Sequence, residues 1–185
     1  SAEHRQLRMG FVGLGAGIMA AWGHPGDRMT FYEINPLVVS FNNAYFSYIQ
    51  DSKSDIDLVM GDARLSLERE VTRAAAPYES LALDTLLGGA PPVRLQPLDI
   101  LVLDAFTGDA IPLHLLTSEA FEIYFKRLQP GGVLAVHVSN QYIDLEPLVH
   151  GLALERGKKA LVIENWQDVR KGVEDSAWVL VTDNK

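Results

Sequence analysis

Gly13-Leu14-Gly15-Ala16-Gly17 is the segment of this chain whose residue types most clearly imply chemistry. It follows an apolar run, Met9–Gly13, and leads into a stretch of helical spacing, Ala16–Trp22. Glycines at such a junction let the backbone bend sharply and let a ligand approach with no Cβ in the way. Glu33 closes the next apolar run, Met29–Glu33. That is about 20 residues on, where a carboxylate can accept bonds from both hydroxyls of a ribose. The glycine pattern alone could be a bare structural turn; together with Glu33 in register it points to adenosine binding.

A dinucleotide fingerprint sets its third glycine one place further along, where this chain has Ile18, and a pyrophosphate needs a helix N-terminus aimed at it. The compact Gly-x-Gly-x-Gly is the pattern of S-adenosylmethionine enzymes, whose ligand has no phosphate to cradle. Gly61-Asp62-Ala63 follows the run Ile56–Met60. In methyltransferase-like folds an acid at that place accepts a bond from the adenine amino group. Asp62 could equally cap the helix that opens at Ala63, and one residue can do both. Asp104 ends a further apolar run, and Leu128-Gln129-Pro130-Gly131-Gly132 forms a turn that is frequent at this place in methyltransferase-like domains.

The elements that must position these residues alternate. Apolar, strand-like runs are Met9–Gly13, Met29–Glu33, Ile56–Met60, Leu98–Asp104, Val133–Val138, Leu161–Glu164 and Ala177–Thr182. Between them, helical spacing covers Ala16–Trp22, Leu37–Tyr48 (with Asn35 as cap and Pro36 in the first turn), Ala63–Ala75, Thr117–Leu128 and Leu145–Lys158. The span 76–97 is irregular, with one helical turn expected around Leu81–Leu87 before Gly88-Gly89-Ala90-Pro91-Pro92. This alternation predicts a doubly wound α/β domain with a mostly parallel seven-stranded sheet. Polar residues 165–176 leave room only for a loop, so the last two strands are expected to be antiparallel.

Composition sets the limits. The 185 residues are 48% apolar, enough for one core in a single domain, and no run is long enough to cross a membrane. The net charge of −8 argues against nucleic acid, whose phosphates need clustered Lys and Arg. Without cysteine there is no disulfide, thiolate metal site or thiol nucleophile. His4, His24, His114, His137 and His150 show no metal-ligand spacing, so no metal is expected. His137 reads as a hydrogen-bonded core residue, and Ser139 lacks a nucleophile-elbow sequence. Asn140 stands at a strand's carboxyl end, where ligands gather in open α/β sheets. Tyr142 and Trp166 could shape a pocket, whereas Trp178 reads as core. No signal peptide is visible, a cytoplasmic setting is expected, and the abrupt polar start suggests a piece cut from a longer protein.

Taken together, Gly13 to Glu33, Gly61-Asp62-Ala63-Arg64, Asp104 to Pro112, Leu116-Thr117-Ser118-Glu119-Ala120-Phe121 and the Pro-Gly-Gly turn resemble the spermidine synthase (polyamine aminopropyltransferase) family. Asp104-Ala105-Phe106 and His137-Val138-Ser139-Asn140 are similar to bacterial spermidine synthase-like domains, many of them attached to membrane segments. The resemblance implies a small-molecule nucleoside, S-adenosylmethionine or its decarboxylated form, held at Gly13, Gly15, Gly17, Glu33, Asp62 and Ala63. It implies an amine acceptor that loses its proton to Asp104, positioned by Asp109 unless that residue only caps a turn. Asn140 would line the acceptor side, and a homodimer is a family habit. Three departures stand out. Ala16 replaces an aspartate that would pair with the amine of the decarboxylated nucleoside, the longer loop Asp104-Ala105-Phe106-Thr107-Gly108-Asp109 replaces the family's tighter aspartate pair, and the family's N-terminal β-rich segment has no counterpart. Methyl transfer from intact S-adenosylmethionine, or nucleoside binding without catalysis, therefore remain as alternatives to aminopropyl transfer.

Overall fold

The structure is a computed structural model and describes residues 5–75, 96–106, 111–140, 143–172 and 174–184. Seven strands form one sheet in the order β3-β2-β1-β4-β5-β7-β6, where β1 is Arg8–Val12, β2 Arg28–Glu33, β3 Asp55–Met60, β4 Leu98–Leu103, β5 Leu128–His137, β6 Lys159–Asn165 and β7 Ser176–Thr182. The first five run parallel. β7 pairs antiparallel with both β5 and β6, as the polar loop between the last two strands predicts. Chain order reverses between β1 and β4, which makes the carboxyl ends of those two strands the topological switch point.

Strand alternation divides the apolar residues between two faces. Val12, Tyr32, Leu103, Val136 and Val179 share one buried cluster with Leu67 of helix α2 (Ala63–Ala75), Phe121 and Tyr124 of α3 (Ser118–Arg127), and Val149 and Leu152 of α4 (Glu146–Leu154). Phe11, Phe31, Val102 and Ala135 share the other, packed beneath Ala20 and beneath Val38 and Val39 of α1 (Pro36–Tyr45). Both faces are therefore helix-covered, as a parallel sheet requires. A buried polar clamp ties the first face together. Arg127 donates through Nε to Glu70 (2.6 Å) and through Nη1 to the Gln96 carbonyl (2.7 Å), while the Tyr32 hydroxyl donates to the same carboxylate at 2.9 Å. Burial and the neighbouring Glu70 charge raise the Tyr32 phenol well above its ordinary range, so it stays a donor.

Four elements differ from the sequence expectation for local reasons, among them α4, expected to reach Lys158, which ends at Leu154 ahead of a turn with Gly157 at φ 62°. The helix expected over Ala16–Trp22 is only a 3-10 helix, Ile18–Trp22, because Gly17 sits in the left-handed region (φ 74°) and no side chain caps the first turn. The second helix stops at Tyr45 instead of Tyr48, since Phe46 is already extended. The Pro-Gly-Gly segment does not end before β5 but lies inside it. The extra residues there shift the register against β4 between Leu98 and Ile100. Gly131 takes a positive φ of 76°, and its N–H is held by Asp183 at 2.8 Å. Thr117 caps α3 as expected, accepting the Ala120 N–H at 3.2 Å. The helical turn expected around Leu81–Leu87 lies outside the described residues.

Candidate functional site

Register decides what stands at the carboxyl edge of the sheet. Val12 lies opposite Tyr32 and Leu103, Leu103 opposite Val136, and Val136 opposite Val179. One step further along, the same row reads Glu33, Gly13, Asp104, His137 and Trp178. These follow Phe31, Phe11, Val102 and Ala135 by two residues on the parallel strands, so the row continues the second core face beyond its last apolar layer. Backbone bonds carry the ladder into it: Gly61 N–H to Glu33 O at 2.9 Å, Gly13 N–H to Tyr32 O at 2.9 Å, and Asp104 N–H to Val12 O at 3.0 Å. The candidate residues are thus fixed by the sheet itself.

The glycine bend is held from beneath by Glu33. This carboxylate is 7% exposed and accepts two backbone N–H groups, from Leu14 at 3.0 Å and from Asn35 at 2.8 Å. A carboxylate has room for further donors, so loop-holding and ribose binding can coexist. Asn42 of α1 braces the other side, donating from Nδ2 to the Gly15 carbonyl at 3.2 Å, and its buried Oδ1 has no partner among the described residues. Removing the Glu33 carboxylate strands the buried Leu14 N–H. Glu33→Ala is therefore expected to cost about 1–3 kcal/mol, read as a lower urea midpoint; an unchanged midpoint would show that the bend does not depend on this anchor.

The glycines serve different purposes. Gly13 (φ 100°) lies so close to β4 that a Cβ there would overlap the Asp104 carbonyl oxygen, and Gly17 (φ 74°) sits against Asn42 and Ile49. At Gly15 (φ 50°) and Gly61 (φ 121°) a Cβ would meet nothing within 4 Å. The two bends flank Glu33, and both open on unfilled space, which suits a ligand laid along bare backbone.

Asp62 caps α2, its Oδ1 accepting the Leu65 N–H at 2.9 Å, while Oδ2 lies 3.0 Å from His114 Nε2. Ala63 is buried behind it. His114 stands 52 positions away, on a 3-10 turn, Leu113–Leu115, and nothing in the sequence links it to Asp62. Asn140 accepts the Ile143 N–H at 3.1 Å just beyond β5. Asp109 and Tyr142 lie outside the described residues.

Asp104 follows β4 directly; its backbone carbonyl abuts the glycine bend at Gly13, and its side chain is 46% exposed. Its Oδ1 is 2.7 Å from His137 Nδ1, a partner the sequence reading placed in the core. His137 Nε2 lies 2.8 Å from Ser139 Oγ, and the ring stacks on Trp178 at 4.5 Å between centroids. The signal that could have found this pair is the matching strand ends, Leu-Val-Leu-Asp at 101–104 and Leu-Ala-Val-His at 134–137. Trp166, by contrast, is largely exposed. Among the described residues no group of acidic, histidine or cysteine side chains is arranged to hold a metal, and no helix is long and apolar enough to cross a membrane.

No family model matches this sequence. Over 133 residues, 70% of the chain, it is 29% identical to a polyamine aminopropyltransferase of Vibrio vulnificus (strain CMCP6), and the match covers 37% of that protein. The chain therefore spans little more than a third of that relative's length. Among solved structures, it is similar to the spermidine synthase of Thermotoga maritima (TM-score 0.65, 12% identity, 97% of this chain and 54% of that one). It is also similar to human methyltransferase-like protein 13 in complex with SAH (TM-score 0.64, 16% identity, 98% of this chain and 73% of that one). The chain shares the Rossmann-like fold of these two structures.

Proposed function

We propose that this chain binds an S-adenosylmethionine-type nucleoside and transfers an alkyl group, aminopropyl by its likeness to spermidine synthases, from the sulfonium to an amine. The observation that carries the reading is the Asp104 carboxylate, half exposed where β4 ends, on a residue whose backbone carbonyl meets the Gly13 bend and which stands in one row with Glu33. In this reading the adenosine lies along the Gly15 and Gly61 bends, with Glu33 toward the ribose and Asp62 toward the adenine. Gly13, Gly17 and Ala63 keep backbone and ligand close.

Asp104 has two tasks. Its charge draws in an alkylammonium, and one oxygen takes the proton that blocks the nitrogen lone pair. The freed nitrogen attacks the carbon bound to sulfur. A C–N bond forms, the C–S bond breaks, and its electron pair stays on sulfur as a neutral thioether. The protein's share is alignment and proton removal in a site where both partners are already oriented. Asn140, just beyond β5, and Asp109, five positions after Asp104 in the sequence, are the further residues assigned to the acceptor side.

Methyl transfer from intact S-adenosylmethionine is the second reading, favoured by Ala16. A carboxylate at that position would add a charge-assisted bond to the ammonium of the decarboxylated nucleoside, worth about 1.5–3 kcal/mol. Calorimetry with both nucleosides, followed by mass spectrometry of diamines incubated with the protein, separates the two. Aminopropyl transfer is expected to show tighter binding of the decarboxylated form and an acceptor heavier by one aminopropyl group. Equal or tighter binding of the carboxylated form, with a gain of one methyl group, would replace it with methyl transfer. Tight binding with no turnover would leave a nucleoside-binding domain.

A further inference from the structure

Asp104 is the end of a hydrogen-bond chain. Ser139 Oγ accepts the Ala177 N–H at 2.8 Å, extending the β5–β7 pairing beyond the Val138 N–H to Ala177 O bond. One lone pair of that hydroxyl is thus committed to the sheet, and its hydrogen is free to point at His137 Nε2, 2.8 Å away. An ionised carboxylate only accepts, so the hydrogen between His137 and Asp104 belongs to Nδ1. All donors then point one way, from the Ala177 N–H through Ser139 and His137 to Asp104. The imidazole in this arrangement is neutral, which leaves the carboxylate's charge undiminished for a cation.

The ring has little freedom to leave. It lies parallel to Trp178, 4.5 Å between centroids and 7° between planes, and meets the edge of Phe106 at 4.9 Å and 77°. Its position is set by register, since His137 and Trp178 are direct cross-strand partners. Exposure runs opposite to a hydrolytic Ser-His-Asp triad, where the carboxylate is buried and the imidazole meets the serine nucleophile. Here the carboxylate is 46% exposed and the imidazole 20%, and the distal nitrogen faces a serine tied into the sheet. The carboxylate is the end that can meet a substrate.

We propose that His137, held by Ser139 and Trp178, is the positioning residue of Asp104: it holds Oδ1 and so leaves Oδ2 to meet a substrate at the carboxyl edge of the sheet. This rests on the reading of Asp104 as the proton acceptor. The geometry behind it stands on its own, and the test uses both.

Nitrogen-15 NMR of histidine-labelled protein reads the tautomer without any turnover. The expected signal is a neutral His137 protonated at Nδ1; protonation at Nε2 alone, or at both nitrogens at neutral pH, overturns the proposal. Kinetics test the consequence. His137→Phe keeps a ring against Trp178 and removes the donor, whereas His137→Asn keeps an N–H close to the Nδ1 position. His137→Phe is expected to lose about 10–100-fold in kcat with nucleoside Kd and acceptor KM little changed, and His137→Asn to recover most of that loss. Wild-type kcat in His137→Phe, or no recovery in His137→Asn, overturns the proposal. Should the wild type transfer nothing, the transferase reading falls, and the tautomer still decides the role of His137.

Discussion

Asp104→Asn is expected to lower kcat/KM for group transfer by about 10²–10⁴-fold while leaving nucleoside affinity within a few fold. Asparagine preserves the shape of the side chain and can still accept the His137 N–H through its amide oxygen, so the fold and the row of strand ends are retained. What it loses is the negative charge and the basic oxygen. An alkylammonium would then approach an amide that neither attracts it nor takes its proton. Because the adenosine is assigned to the Gly15 and Gly61 bends and to Glu33 and Asp62, its binding is expected to survive. Steady-state kinetics and calorimetry on the same preparation check both halves. Equal losses in turnover and nucleoside affinity would instead make Asp104 part of the nucleoside site.

Gly13→Ala is expected to have the largest effect on the fold. The residue has φ 100°, outside the range that L side chains adopt readily, and its missing Cβ is the space taken by the Asp104 carbonyl. Strain of about 1–3 kcal/mol adds to an overpacking cost of similar size, about 1–3 kcal/mol. The obstacle is backbone at the centre of the sheet, so no side chain can swing aside. Its relief would push β1 and β4 apart at the switch point and move Asp104 off the bend. Urea unfolding is expected to show a loss of about 2–6 kcal/mol from these two costs together, accompanied by weakened nucleoside binding. Gly15→Ala is the control: a Cβ there meets only open space, so the backbone penalty alone remains. Equal stability losses in the two variants would show that the contact with Asp104 is unimportant.

Much of this architecture was legible in the residues. Parallel strands buried on both faces read as apolar runs, and the polar residue closing each run marks the carboxyl edge, which is how Glu33, Asp62 and Asp104 could be picked out. The antiparallel end of the sheet followed from the polar loop that leaves no room for a crossover helix. Other parts depended on information that is not local. His137 looked like core because it continues an apolar strand, and only its register against β4 turns it toward Asp104. His114 meets Asp62 across 52 positions, through a turn whose path no sequence pattern fixes. The residues after the glycine bend have helical spacing, but Gly17 in a left-handed conformation delays helical geometry and leaves only a 3-10 segment. The Pro-Gly-Gly segment has the composition of a turn, yet the strand accommodates it by a register shift. For Glu33, sequence pointed to a ribose contact, whereas what the structure shows is an anchor of the loop.

The central claim is best tested by a crystal structure of the protein grown with saturating S-adenosylmethionine or its decarboxylated form. The expected density lies along the bare backbone at Gly15 and Gly61, with the ribose hydroxyls at Glu33 and the carbon beside sulfur facing Asp104 Oδ2. Ligand bound elsewhere, or bound there with its sulfur turned away from Asp104, would contradict the account.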